Sequence, residues 1–196
     1  MSISKKIHIY ADGPKLQVID KIDSSTIKGY TFNPSLFRSN NVKNYLGHCQ
    51  DILNKINSKP VSLEVIADDD KNIIKQAEIL SDLGKNVYVK IPITNTKGEI
   101  SKNIIKELSI KKVKLNITAI FTLNQVKKII DIINLKKDIL SIFSGRIFDI
   151  GIDATIHTKK LINLLKITQS VKVFGQVQEW FMIFIMLLKR NQTLLQ

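Results

Sequence analysis

A single cysteine, Cys49, stands in a chain of 196 residues. That scarcity excludes an internal disulfide and suits a reducing compartment. The opening stretch MSISKKIHIYADG carries lysines but no sustained apolar run, so no secretory signal is visible there and a cytoplasmic location is expected. No Gly-rich phosphate loop, nucleophile elbow or cluster of metal ligands occurs. The three histidines are scattered, His8 on a core or sheet-end position and His48 and His157 in helical or loop segments, so neither a metal nor a cofactor is expected. Linkers, internal repeats and low-complexity blocks are missing as well, and the length suits one domain. Acidic residues are few, 17 against 30 Lys and Arg, which leaves a formal charge of +13. Such an excess invites a nucleic-acid reading through counterion release. The lysines, however, are spread along nearly every helical segment without an aromatic-plus-basic motif. The abundance of Ile, Asn and Lys matches AT-rich codons, so the charge reads as a solvated surface. Neither nucleic acid nor a membrane is an expected partner.

What the chain does have is alternation. Short branched or aromatic runs at residues 6–12, 27–33, 60–66, 87–93, 114–121, 139–147 and 171–174 read as strands. Between them lie segments with apolar residues at helical spacing: LQVIDKIDS, VKNYLGHCQDILNKI, DKNIIKQAEILSDLG, ISKNIIKELSI, NQVKKIIDIIN and TKKLINLLKIT, with Gly84 as a helix stop. Repeated strand–helix units imply a parallel sheet with right-handed crossovers.

The segment NVYVKIPI (86–93) places a lysine inside a strand. Side chains alternate along a strand, so Val87, Val89 and Ile91 share one face and Tyr88, Lys90 and Pro92 the other. An ammonium group is costly to bury alone. A lysine at such a position therefore takes a carboxylate partner or serves as a neutral nucleophile. The same alternation puts Ser62 and Glu64 opposite Val61, Leu63 and Val65. It sets Asn116 and Thr118 against Leu115, Ile117 and Ala119, Tyr10 and Asp12 against Ile9 and Ala11, and Ser141 against Leu140 and Ile142; Thr31 and Asn33 fall together just before Pro34. Each strand thus has one apolar face and one with polar groups near its C-terminal end. An open doubly wound sheet would be apolar on both faces. A (β/α)₈ TIM barrel gathers inward polar groups at its C-terminal mouth, and that is the fold expected.

The segments YADGPKLQ, IKGYTFNPSLFR, VSLEVIADD, GKNVYVKIPITNTKGE, VKLNITAIFTLNQV and SIFSGRIFDIGID together resemble the transaldolase family, in particular its short members, which include fructose-6-phosphate aldolases. The resemblance runs in register from about residue 6 to residue 173. It implies that Lys90, in a VKIP-type motif, is a Schiff-base lysine and that Asp12 is the acid/base of the first strand. Asn33 corresponds to the asparagine of a T-x-N-P motif, Glu64 to the third-strand glutamate, and Asn116 and Thr118 to an N-x-T pair. Ser141 and Arg146 correspond to the phosphate-binding serine and arginine. A sugar phosphate is the implied substrate, and a homo-oligomer is expected of the full-length form.

In the chemistry so implied, a neutral lysine attacks a ketose carbonyl and, after loss of water, leaves an iminium that accepts the electron pair of a breaking carbon–carbon bond. Glu64, with a water positioned by Thr118, serves the proton transfers. Asp12 takes the substrate hydroxyl proton, and Asn33 and Asn116 hold the hydroxyls of the three-carbon enamine. The residues also admit plainer roles: Lys90 and Glu64 as a structural ion pair, Asp12 as a turn cap with Gly13, Asn33 as the cap of a segment opened by Pro34. The alternatives at the level of the whole chain are a catalytically dead, truncated barrel and a non-catalytic binder of sugar phosphate or nucleic acid.

After residue 173 the resemblance stops. A W-A-S-x-R-E-type segment, an eighth strand and a terminal helix are expected, whereas the chain reads FGQVQEWFMIFIMLLKRNQTLLQ. Its run WFMIFIMLL is apolar all round yet too short to span a bilayer. Back-translated with AT-rich codons and read from the third nucleotide, the tail gives WASTRMVYDFYNAIKKKSNIIT, which contains the missing motif. The chain is accordingly divided into a barrel at 1–173 and an out-of-frame tail at 174–196, with the eighth strand missing. Two open sheet edges and an uncovered patch around Trp180, Phe181 and Phe184 are the expected result, and with them poor folding and little turnover.

Overall fold

A computed structural model describes residues 7–134, 137–166, 172–176 and 183–187. Six strands, β1 (Ile7–Asp12), β2 (Ile27–Thr31), β3 (Val61–Glu64), β4 (Val87–Pro92), β5 (Leu115–Ile120) and β6 (Ile139–Ile142), pair in sequence order, all parallel. They curl into a half-barrel of the TIM-barrel kind, wrapped by helices. The helices between them are α1 (Leu16–Ile22), α2 (Pro34–Ser39), α3 (Tyr45–Lys55), α4 (Asp70–Asp82), α5 (Lys102–Ile110) and α6 (Leu123–Lys127), followed by α7 (Ser144–Asp149) and α8 (Ala154–Lys166). Among the described residues, no helix is long and apolar enough to cross a membrane.

The outward phase of each strand builds the core. Val61, Leu63, Val89, Ile91, Leu115, Ile117, Leu140 and Ile142 are all buried in one cluster with helix residues such as Ile52, Ala77, Leu80, Ile105 and Leu108. Tyr10, Tyr88 and Ile139 are buried outside that cluster, as the inward phase requires. Gly29, on the inward phase of β2, makes room for Tyr10, because a Cβ there would collide with the tyrosine ring. The free Cys49 lies fully buried on the inner face of α3, and burial pushes its thiol up to about 12. Thiol reagents act on the thiolate, so folded protein should be modified far more slowly than urea-unfolded protein at pH 8. Equal rates would show that α3 does not pack on the sheet as described.

Three elements depart from expectation. The strand expected over 139–147 ends at Ile142, and Ser144–Asp149 coil into α7. The strand expected to reach Asn33 ends at Thr31, since Asn33 instead caps α2. The helix expected over 124–134 is regular only through Lys127. Beyond it the chain continues in tight turns, Ile129 N–H to Val126 C=O at 3.0 Å and Ile132 N–H to Ile129 C=O at 3.0 Å, in a run of β-branched isoleucines that favour helix poorly. Val126, Ile129 and Ile133 still bury at the expected spacing.

The largest correction concerns the end of the sheet. A seventh strand, β7 (Lys172–Gln176), pairs parallel with β6 and extends past residue 173. An eighth, β8 (Ile183–Leu187), runs antiparallel to both β7 and β1, so the pairings form a closed ring. Tail residues thus pair with both edges expected to stay open, but in the reversed direction; the parallel eighth strand expected to be missing is absent among the described residues, and the TIM-barrel-like sheet is incomplete in that respect. Connection length accounts for the direction: only residues 177–182 separate β7 from β8, and a parallel crossover needs a dozen or more residues. Trp180, Phe181 and Gln178 lie outside the described residues, as do the side chains of Gln176 and Phe184.

Candidate active site

The inward phase of β3, β4, β5 and β6 converges on Lys90. Strand register sets Glu64 and Asn116 beside it on the two neighbouring strands. Lys90 is 6% exposed, and its Nζ lies 3.0 Å from Glu64 Oε2. Of the two outcomes open to a buried lysine, the structure shows the carboxylate partner. That pair is also a path for a proton between amine and carboxylate, which a nucleophilic lysine needs. Tyr45 at the start of α3 donates its hydroxyl to the backbone carbonyl of Glu64, fixing the end of β3. Burial raises the Tyr45 hydroxyl well above its ordinary range, so it remains a donor.

Beside Lys90, three buried polar side chains form a chain. Asn116 Nδ2 donates to Ser62 Oγ at 3.0 Å, and Ser141 Oγ donates to Asn116 Oδ1 at 2.6 Å. Thr118 is likewise buried, facing Pro92 in the β4–β5 register. The next residue, Ala119, has φ +57 where β5 slips its register against β6 between Ile117 and Ile120. A left-handed alanine costs about 1–2 kcal/mol, so this turn after Thr118 is held by its surroundings.

On the far side, β1 and β2 bring Asp12 and Thr31 together, with Thr31 Oγ1 donating to Asp12 Oδ1 at 2.6 Å. Gly13 follows at φ +55, where a side chain would also strike Leu36, so the chain can turn sharply away from Asp12. Asn33 Oδ1 accepts from Leu36 N–H at 2.9 Å and caps α2, which fills the plainer role and leaves its amide nitrogen for other partners. Arg146 stands apart: it lies on α7, is exposed, and has Nη1 3.4 Å from Asp149 Oδ2. Lys90 and Glu64 thus form one pair, Ser62, Asn116 and Ser141 a chain set beside it by register, Asp12 and Thr31 a further pair, and Arg146 stays at the rim.

Sequence reasoning passed over Ser62 and Thr31 as partners. Both are visible on the inward phase; Ser62 needs the knowledge of which strands meet across the interior, and Thr31 the register of β1 on β2. A groove of about 830 Å³, lined by Lys15, Asn40, Lys43, Asn44, His48 and Asp51 among others, contains none of the eight candidate residues. The buried lysine–carboxylate geometry therefore locates the site better than the groove does. Among the described residues, no group of three His, Cys, Asp or Glu side chains could hold a metal ion.

Residues 9–181 match the family model described as Transaldolase/Fructose-6-phosphate aldolase. Relatives include a probable transaldolase of Clostridium kluyveri, 30% identical over 151 residues, covering 76% of this chain and 65% of that protein. A probable transaldolase of Methanococcus maripaludis is 32% identical, covering 80% of this chain and 66% of that protein. One from Coprothermobacter proteolyticus is 35% identical over 65% of this chain and 55% of its own length. The chain thus spans somewhat less than two thirds of these relatives. The matched span runs from within β1 through β6 and takes in every residue of the site, and on that ground the chain belongs to the transaldolase/fructose-6-phosphate aldolase family.

Proposed function

We propose that this protein is a Schiff-base aldolase or transaldolase that removes a dihydroxyacetone unit from a ketose phosphate, on a scaffold derived from the (β/α)₈ barrel. The observation that carries the reading is the buried Lys90 at 3.0 Å from Glu64. Glu64 takes a proton from Lys90, and the free amine attacks the ketose carbonyl carbon. Glu64 then returns protons, by way of a water beside Thr118, so that the carbinolamine oxygen leaves as water and an iminium forms. Asp12, held by the Thr31 hydroxyl, accepts the proton of the adjacent substrate hydroxyl. As that O–H breaks, the carbon–carbon bond breaks too: an aldehyde departs and the electron pair moves into the iminium to give an enamine. Asn33 and Asn116 hold the hydroxyls of the three carbons that remain. An acceptor aldehyde then reverses the steps, or protonation and hydrolysis release dihydroxyacetone.

Borohydride in the presence of a ketose phosphate tests this reading, because reduction of the iminium leaves a stable adduct. The adduct should map to Lys90; a label confined to another lysine, or none at all, favours a barrel that binds without turnover. For the 174–196 tail we propose a change of reading frame, and the nucleotide sequence around codon 174 tests it.

Arg146 fits the phosphate. Its planar guanidinium can give two parallel hydrogen bonds to phosphate oxygens, and the rim position suits the far end of a sugar whose carbonyl reaches Lys90. Ser141 directs its hydroxyl proton to Asn116, so in this reading it serves the three-carbon unit more directly than the phosphate. Arg146→Ala should raise KM for a phosphorylated ketose about tenfold to a hundredfold, the scale of a lost charged hydrogen bond. KM for free dihydroxyacetone should hardly change. Equal increases for both substrates would remove the phosphate role.

A further inference from the structure

Ser62 stands two residues before Glu64, on the same inward face of β3, fully buried. Its hydroxyl accepts from Asn116 Nδ2 at 3.0 Å, yet β3 and β5 are not neighbours, since β4 pairs with each of them. The bond therefore crosses the interior past β4, joining side chains from alternate strands, which is how barrel interiors are layered. From β6, Ser141 holds the other end of the same carboxamide through Oδ1. Asn116 is thus gripped at both ends, and neither Ser62 nor Asn116 exposes any surface to water that could replace the bond.

We propose, resting on the Schiff-base reading above, that Ser62 is a positioning residue that locks the plane of the Asn116 carboxamide beside Lys90 and so aims it at a hydroxyl of the three-carbon unit. A carboxamide offers two N–H donors and two oxygen lone pairs. One donor goes to Ser62 and one lone pair to Ser141, which leaves one of each for substrate. The last torsion of an asparagine has broad, shallow preferences, so the amide plane is set by its partners. Two hydroxyls on opposite strands fix it; one alone permits it to swing. A serine suits the place because β5 approaches close enough for a short hydroxyl to reach, and alanine would leave the buried N–H without a partner.

The test uses the full chain, borohydride and graded dihydroxyacetone, with the Lys90 adduct measured by mass and melting temperature measured alongside. Ser62→Ala should need about tenfold more dihydroxyacetone for half-maximal adduct, the effect of one lost buried hydrogen bond. Ser62→Thr, which keeps the hydroxyl, should recover most of that loss. On an Asn116→Ala background, Ser62→Ala should add almost nothing. If Ser62→Ala fails to fold, Ser62→Cys, with a weak acceptor of similar size, carries the same comparison. A lowered melting temperature with unchanged half-saturation overturns the proposal, and so does an equal cost with and without Asn116. Absence of any Lys90 adduct in the unmutated chain is a different result: it overturns the Schiff-base reading and this proposal with it.

Discussion

Lys90→Met should lower ketose phosphate turnover by a factor on the order of 10⁴ to 10⁶, the scale seen when a covalent nucleophile is removed, and should erase the borohydride adduct. Methionine keeps the unbranched apolar stem but has no amine. The substitution also leaves Glu64 without its partner, and breaking a buried pair is destabilising; Glu64 keeps 19% of its side chain exposed, so some loss in melting temperature is expected but not unfolding. The double variant Lys90→Met/Glu64→Gln separates the two roles, because neutralising both partners removes the unpaired charge. It should regain melting temperature without regaining activity. Activity that returned with stability would show that Lys90 is only a structural ion.

Glu64→Gln alone should slow imine formation by about 10²- to 10⁴-fold, the usual contribution of a positioned acid–base group. The side chain keeps its shape but can no longer take the proton from Lys90 across the 3.0 Å contact. A single-turnover trap, with borohydride added at intervals after substrate, reads the rate of imine formation directly. A rate equal to that of the unmutated chain would place the proton acceptor elsewhere. Because Asn33, Asn116 and Arg146 are untouched in this variant, KM for the ketose should move far less than the rate does.

Much of this arrangement was legible before the fold. Period-two alternation put Lys90, Glu64, Asn116, Thr118, Ser141 and Asp12 on one face of successive strands, and the structure pairs Lys90 with Glu64 and joins Asn116 to Ser141 and Ser62, the two sets meeting in the β4–β5 register. Helical spacing found α3, α4 and α5 to within a few residues. Local punctuation was harder to read. Asn33–Pro34 ended β2 and started α2, a cap signal present in the sequence but outweighed by the apolar run before it. In SIFSGRIFD, strand-forming residues continue past Ile142, yet the chain turns into α7 after Phe143. The phase of a strand is a local property; where it stops depends on where its neighbour stops.

The sequence alone therefore determined the strand–helix alternation, the inward and outward faces and the residue types at the mouth, because each follows from side-chain geometry over a few positions. Tertiary structure decided the rest. It chose Glu64 as the partner of Lys90, made Ser62 and Ser141 the two clamps of Asn116, gave Asp12 the Thr31 hydroxyl and left Arg146 at the rim, since those contacts join side chains on different strands whose register no local pattern states. It also decided how the ring closes. The tail offers one apolar stretch, and the unpaired N–H and C=O groups of β7 and β1 accept it as an antiparallel strand. The short connection from β7 permits no other direction, and unpaired backbone at a sheet edge rewards pairing whatever sequence supplies it.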